Sequence, residues 1–470
     1  MVPPHRRRRQ PTLTSLVLVM SVILILLIVL AVSLQELMPT PSMDTPLTDP
    51  TVIPTTEPAP PVTTVPTPPI VLESTATLAA TGDILMHKPV INTGYISEDV
   101  YDFSSIFTYF SSYVTAADYT VANLETTLAG SDNGYEYKGY PDFNCPDGIV
   151  TSMKNAGFDM LLTANNHSYD TQTIGLRRTQ QVITDIGLAH LGTKPTADTP
   201  NYLIADINGI RIGMLCYTYE EHKKNEDDPN YKYPYEEKAL NRIPLTKSDA
   251  PLINSFDYDY LDLFYGEMQE NIALMEEAGT DAVVLFIHWG EENFTTQNAT
   301  QSAMAQELCD LGIDVIIGGH PHVVQPVELL TSTTNSSHKT VCLYSMGNAV
   351  SNQRRTEAGI PDSGHTEDGV LFSVTFSKYS DGTVILTDTS LLPLWVDRRY
   401  NAQGRREYPI LPLDTQIEDW KSQFSLTDAT LKEAQASYER TMAIVSDGMT
   451  QVNTWLAQRK TQVETELGLQ

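Results

Sequence analysis

What most constrains this chain is a rhythm that recurs three times. An amphipathic stretch ends at a glycine, one residue follows, then an aspartate, then a short apolar run. Gly157-Phe158-Asp159 leads into Met160-Leu161-Leu162, Gly279-Thr280-Asp281 into Ala282-Val283-Val284-Leu285-Phe286, and Gly312-Ile313-Asp314 into Val315-Ile316-Ile317. A glycine just past a helix takes the left-handed conformation that stops it. Met304, Leu308 and Leu311 share one helical face ahead of such a stop, as do Ile149, Val150 and Met153. Helices alternating with short, continuously apolar strands predict an α/β domain whose strands are buried. Two tight turns make the sheets mixed: Asn208-Gly209 separates strands at 202–207 and 210–218, and Asp381-Gly382 separates strands at 370–378 and 383–387.

Each apolar run is followed at once by polar residues of metal-ligand type. Residues 78–80 run into Thr81-Gly82-Asp83 and on to His87; 119–122 into Asn123-Leu124-Glu125; 160–162 into Asn165-Asn166-His167-Ser168-Tyr169-Asp170. Further on, 283–287 run into His288-Trp289-Gly290-Glu291-Glu292, 315–317 into Gly318-Gly319-His320-Pro321-His322, and 340–344 into Ser345-Met346-Gly347-Asn348. In open α/β sheets the carboxyl ends of the strands gather in one crevice. That brings Asp83, Glu125, Asn166, His167, His288, His320 and His322 within reach of one another. Mixed carboxylate and imidazole ligands suit Mn, Zn or Fe rather than Ca. This set is large enough for two divalent ions, and a pair about 4 Å apart clamps a phosphoryl group and activates water. Any one of these residues alone reads equally as a turn or surface group; recurrence at successive strand ends is what turns do not explain.

The ends of the chain carry a different message. Arg6 to Arg9 form a basic cluster, and from Leu16 to Leu34 the chain is apolar except for Ser21 and Ser33. A run of that length crosses a membrane as a helix, and the basic side stays cytoplasmic. The expectation is a short cytoplasmic segment at 1–12, a signal anchor at 13–35, and an extracytoplasmic remainder in a single-pass protein of the cell membrane. A cleaved signal peptide is the alternative, with Ala31 and Ser33 as its site, although the run exceeds an ordinary h-region; both readings export the chain. Residues 36–73 are rich in Pro and Thr and read as a disordered linker. The net charge of −29 argues against a nucleic-acid partner and would draw divalent cations, while solubility alone also accounts for it. The four cysteines have no CxxC spacing, so bridges and buried thiols both stay open. Beyond Trp395, a helix at 427–445 with Thr427 as N-cap and a second at 449–467 are expected within a C-terminal helical extension, 401–470.

In this order and at these spacings the motifs Thr81-Gly82-Asp83, Asn123-Leu124-Glu125, Asn165-Asn166-His167-Ser168-Tyr169-Asp170, His288 to Glu292, His320-Pro321-His322 to Gln325 and Ser345 to Asn348 resemble the CapA family of capsule or poly-γ-glutamate synthesis proteins. The resemblance covers residues from about Thr75 to Trp395, within a domain placed at 74–400. That family is similar to the calcineurin-like metallophosphatases. The resemblance implies a four-layer α-β-β-α sandwich with mixed sheets. It also implies that Asp83 binds a first metal with His322, that Glu125 bridges, that Asn166, His288 and His320 bind a second, and that His167, oriented by Asp170, touches the phosphoryl group or protonates a leaving oxygen. Two departures from the metallophosphatases stand out: their Asp-x-His is absent, with His87 the nearest histidine, and Glu125 stands where they have an aspartate. His87, Asn123, Glu292 and Gln325 are further candidates. The implied function is a two-metal phosphoesterase-type hydrolase of capsule or poly-γ-glutamate biosynthesis or export. The alternative is a non-catalytic, polymer-binding or scaffold component beside other membrane capsule-synthesis proteins. An anionic polymer would then need metal bridging or basic contacts such as Arg177, Arg178, Arg354 and Arg355. A secreted nucleotidase is the third reading, against which the residues after Trp395 are too few and too helical for a nucleotide-binding domain.

Overall fold

The glycine stops set the frame. Gly157, at φ 104°, ends the helix Gly148–Ala156 (α1), and Gly279 and Gly312 are left-handed as well, at 78° and 98°. Each following aspartate then clamps the neighbouring strand in the same way. Asp159 accepts from the Thr120 amide and donates its own amide to the Thr120 carbonyl. Asp314 does so with Val283, and Asp281 with Arg211. The Gly-x-Asp signature thus stops a helix and sets the register of the next parallel strand in one stroke.

A computed structural model describes residues 69–132, 134–222, 238–355 and 364–469. The expected anchor at 13–35 and nearly all of the expected linker lie outside the described residues; no described helix is long and apolar enough to cross a membrane. Two sheets are built around parallel strands. In the first, β1 (Leu72–Ile84), β2 (Tyr119–Leu124) and β3 (Met160–Leu162) run parallel, followed by Ala189–Leu191. In the second, β4 (Ile210–Tyr219), β5 (Ala282–His288), β6 (Val315–Gly319) and β7 (Lys339–Leu343) do the same. Antiparallel strands complete both: β8 (Asp368–Tyr379) pairs with β1, β9 (Val384–Val396) with β8, Tyr202–Ile207 with β4, and Val327–Thr331 with β7. The mixed sheets expected from the two turns are present, and Asn208 and Gly209 are both left-handed, at 56° and 81°.

The apolar runs are continuous because both faces of each strand are covered. Ile212 and Met214 of β4, and Ala282, Val284 and Phe286 of β5, face Leu78, Ala80, Val121 and Met160 of the first sheet. The alternate residues Leu215, Val283, Leu285 and Ile287 pack outward on the helices Leu261–Glu277 and Ala299–Asp310. The outer face of the first sheet is covered by α1 through Ile149, Val150 and Met153, and by Ile183 of the helix Gln172–Ile186. Helices therefore lie outside two facing sheets. All four cysteines are buried free thiols.

The C-terminal region differs from expectation. One helix of 39 residues, Asp428–Glu466 (α2), replaces the predicted pair. Thr427 caps it with Thr430, as predicted for Thr427. The glycine between the two predicted helices marks a contact instead of a break: a Cβ at Gly448 would stand 1.8 Å from the Val327 carbonyl oxygen. Val445, Met449, Val452 and Leu456 join the core between the sheets.

Candidate metal centre

Strand parity delivers the ligands. In β5, residues 282, 284 and 286 face the inter-sheet core, so His288, the last residue, faces it too. In β2, Val121 is inward, which places Asn123 inward as well. Asp83 reaches that face by a different device. The pairing runs Thr81↔Ala122, then Asp83↔Asn123, leaving Gly82 as an extra residue. Such a bulge reverses the face presented by the next residues of the strand. Only glycine fits it, since a Cβ at Gly82 would lie 1.8 Å from the Gly347 oxygen. At the end of β6, Gly319 keeps the space clear: a Cβ there would sit 3.2 Å from Asp83 Oδ1.

Asp83, Glu125 and His288 each offer a ligand atom within 4.8 Å of the others, and all three are buried. Glu125 Oε1 lies 3.6 Å from His288 Nε2 and 3.8 Å from His322 Nε2, with no hydrogen-bond partner. His322 Nδ1 is 3.0 Å from Asp83 Oδ2. Asn166 Oδ1 is 2.9 Å from His288 Nε2. His320 stands beside His288, ring centroids 4.8 Å apart, and its Nδ1 is a second buried atom without a partner. His320 and His322 are left-handed at 94° and 58°, a strain of about 1–3 kcal/mol each that the surroundings must hold.

The electrostatics fit a cation. Burial, with the Asp83 carboxylate next, pushes the Glu125 carboxyl well above its ordinary range. Burial, then His320 and His322, holds His288 well below the ordinary imidazole value, and burial and His322 do the same to His320. Burial also opposes charge on His322, but Glu125 and Asp83 outweigh it and raise that ring to about 10. Two carboxylates close together, the neutral imidazoles of His288 and His320, and two buried atoms without hydrogen-bond partners suit a divalent cation. The residues present fit such an ion.

The other expected residues fall around this core. His167 Nδ1 lies 2.7 Å from Asp170 Oδ2, which also accepts from the Phe143 amide. Asn123 orients without facing outward: its amide donates to Asp83 Oδ1 at 2.7 Å and its oxygen accepts from Asn165. His87 is near His322 and His167, and burial followed by His322 lowers it to about 4. Glu292 is exposed, close enough to add to the field on Glu125 and His322. Gln325 is buried elsewhere, its amide spent on the Phe294 and Thr296 carbonyls. The four candidate arginines are occupied: Arg178 on Asp147, Arg177 on Asp249, Arg354 on the Val396 carbonyl, and Arg355 at His365. Three neighbours escaped the sequence. Tyr219 stacks on His288 at 5° and stands 4.8 Å from His320; Phe143 meets His167 edge-on at 4.7 Å; Asn241 donates to Asp170. Tyr219 ends a parallel strand, so the strand-end rule would have found it had it been applied to β4.

The chain is 25% identical over 316 residues to the capsule biosynthesis protein CapA of Bacillus anthracis, covering 66% of each chain. It is 25% identical over 285 residues to the PGA biosynthesis protein CapA of Bacillus subtilis, covering 60% of this chain and 64% of that one. The match therefore spans just under two thirds of either Bacillus protein. An uncharacterised Sinorhizobium fredii protein, y4sH, is 30% identical over 330 residues, 60% of this chain and 68% of its own. The profile of the family described as bacterial capsule synthesis protein PGA_cap matches residues 77–353, which include every ligand of the centre, and the chain belongs to that family.

Proposed function

We propose that the protein is a metal-dependent hydrolase of the phosphoesterase type acting in capsule or poly-γ-glutamate synthesis or export, with its catalytic unit outside the cell membrane. One observation carries the reading: Glu125 Oε1 is a fully buried carboxylate oxygen, without a partner, set between His288 and His322. Asp83, Glu125 and His322 would hold one divalent ion, and Asn166, His288 and His320 a second, with Glu125 shared; Mn, Zn and Fe suit these donors. Helices outside two facing sheets, with ligands at the strand ends, support a metallophosphatase-like fold. Bound ions supply charge stabilisation for a phosphoryl oxygen and activation of water.

The chain's own groups do the rest. With its Nδ1 proton held by Asp170, His167 can donate only from Nε2, so as the acid it would carry a second proton there, pass it to the departing oxygen and be left protonated at Nδ1 alone. Three donors fix the Asp170 carboxylate, from Phe143, His167 and Asn241. Tyr219 and Phe143 wall the histidines with apolar surface and limit water. The apolar run at 16–34 supports anchorage in the membrane, where other capsule-synthesis proteins and an anionic polymer would be its partners.

The test is elemental analysis of the purified chain after reconstitution with Mn and with Zn. About two ions per chain, lost on replacing His320 and His322 by Ala, is the expected result. A protein that binds none would sink the hydrolase and leave a scaffold role in the capsule machinery.

A further inference from the structure

Neither the strand-end pattern nor the metal centre accounts for the small hairpin formed by Lys238–Leu240 and Ile243–Pro244. Leu240 pairs with Ile243, so the turn has only Asn241 and Arg242 at its tip. Both are left-handed, at φ 47° and 63°. A two-residue turn of this kind demands that conformation twice and ordinarily places glycine in it. Asparagine tolerates it, but an arginine there sets its Cβ against the backbone. A strained residue that is not glycine points to a side chain kept for its own sake.

The hairpin is tied to the loop that carries His167. Leu240, with Ile243 and Leu245, packs on Tyr169, Leu176, Leu252 and Ile253, and Tyr169 lies between His167 and Asp170 in sequence. Asn241 Nδ2 has two protons, and two acceptors take them: Asp170 Oδ1 at 2.9 Å and the Pro141 carbonyl at 2.9 Å. The amide also approaches His167 Nδ1 to 3.3 Å, but it has no third proton to give. His167 Nδ1 must therefore carry a proton itself and donate to Asp170 Oδ2, so Asn241 fixes the tautomer by fixing the carboxylate. Arg242, one residue on, is exposed and makes no hydrogen bond or ion pair with any described residue.

We propose that this tip is a wall of the reaction site, where Asn241 is a positioning residue acting on His167 through Asp170, and Arg242 selects substrates bearing an anionic oxo-acid group beyond the leaving oxygen. The second half rests on the hydrolase reading above. His167 is the proton donor to the leaving oxygen in that reading, and Arg242 shares a two-residue tip with the side chain that supports it. Glu292 is exposed near the centre, and the chain charge is −29. An anionic leaving group is repelled by such charge unless a local guanidinium, which grips carboxylate or phosphate with two parallel bonds, receives it.

Glycine variants make the test independent of misfolding, because Asn241→Gly and Arg242→Gly remove side chains while relieving the backbone. Both are compared with the wild type in the full-length, Zn-loaded protein for melting temperature, for the ring-nitrogen signals of His167 (assigned with His167→Gln), and for hydrolysis of phenyl phosphate and 4-carboxyphenyl phosphate. Expected is a melting temperature equal to or above wild type in Arg242→Gly, and one somewhat below wild type in Asn241→Gly, where relief of the backbone only partly offsets the lost hydrogen bonds to Asp170 and Pro141. Asn241→Gly shifts the His167 nitrogens and lowers kcat about tenfold on both esters with little change in KM. Arg242→Gly leaves phenyl phosphate unchanged and lowers kcat/KM about tenfold for the carboxylated ester alone. Unaltered His167 signals in Asn241→Gly overturn the positioning role, and an equal response of both esters to Arg242→Gly overturns the selectivity. If metal-loaded wild type cleaves neither ester, the hydrolase reading has failed and Arg242's role falls with it, while the His167 signals still decide Asn241.

Discussion

Glu125→Gln separates a carboxylate kept for a cation from one kept for structure. A structural carboxylate accepts hydrogen bonds, and its loss costs about 1–3 kcal/mol. Glu125 differs: Oε1 has no partner, and Oε2 has only a long contact of 3.5 Å from Asn123. Its raised pKa means that the folded protein holds this proton more tightly than the unfolded chain. Stability of the metal-free protein therefore falls as pH rises above the ordinary carboxyl value of 4.5. At pH of about 7 that penalty is bounded at about 3 kcal/mol, since each unit is worth about 1.4. Attraction to His322 returns part of it, and the two are one coupled interaction, not two to be added. Glutamine keeps the shape and sheds the charge. Metal-free Glu125→Gln should thus be as stable as wild type at neutral pH, or more stable by up to about 3 kcal/mol. Metal should then fail to help it. An ion at about 1,000 times its Kd stabilises wild type by about 4 kcal/mol. For a unit of roughly 400 residues that is a rise of about 5 °C in Tm. The assay is thermal unfolding with EDTA, Mn or Zn. A variant destabilised by 2 kcal/mol or more without metal, or one that gains the full wild-type increment with it, would refute the reasoning.

Other perturbations draw on the same geometry. His322, raised to about 10 with a usual value of 6.5, holds a proton in the metal-free state, stabilising the fold below 6.5 and losing that contribution as pH rises through about 10. Binding of a divalent ion at pH 7 should release about one proton or more, tighten with rising pH, and show a calorimetric enthalpy that depends on the buffer; a buffer-independent enthalpy counts against it. Gly82→Ala, with its Cβ directed at the Gly347 oxygen, should cost about 3 kcal/mol or more in urea unfolding and displace Asp83 from the centre. Gly448→Ala improves helix propensity by about 1 kcal/mol yet should destabilise by about 2, because the Val327 carbonyl occupies the space; a more stable variant would mean that α2 does not pack as described. Asp314→Ala should cost about 1–2 kcal/mol through loss of the Val283 clamp and leave metal content unchanged.

How far the sequence could be read depended on whether a feature was local. The stops at Gly157, Gly279 and Gly312 and the turn at Asn208-Gly209 were legible because backbone handedness is set by a single residue. The gathering of polar side chains at the strand ends was legible because period-two burial carries straight on to the last residue of a strand, as from Phe286 to His288. What depended on a distant partner was not. Gly82 reads as an ordinary glycine beside Asp83 until the Gly347 oxygen is seen against it, and Gly448 reads as a helix break until Val327 is seen there. Gln325 follows the His-x-His motif closely in sequence, but the carbonyls of Phe294 and Thr296 claim its amide. Asn241 came from a segment with no strand-end signature, and only its contact with Asp170 discloses it.

The position of β1 bears on how the protein is made. This first strand lies in the middle of its sheet, with β2 on one side and β8, nearly 300 residues later at Thr81↔Leu371, on the other. The last helix, α2, then supplies Val445 to Leu456 to the core between the sheets. A chain emerging residue by residue can pair β1 with β2 early, but its other edge stays open until β8 has been made. Closure over so long a loop is slow, and an open apolar edge invites pairing with other chains. Closure of the fold therefore waits for β8 and α2, and a chain cut short before α2 should be a substrate for quality-control proteases, not a smaller working protein.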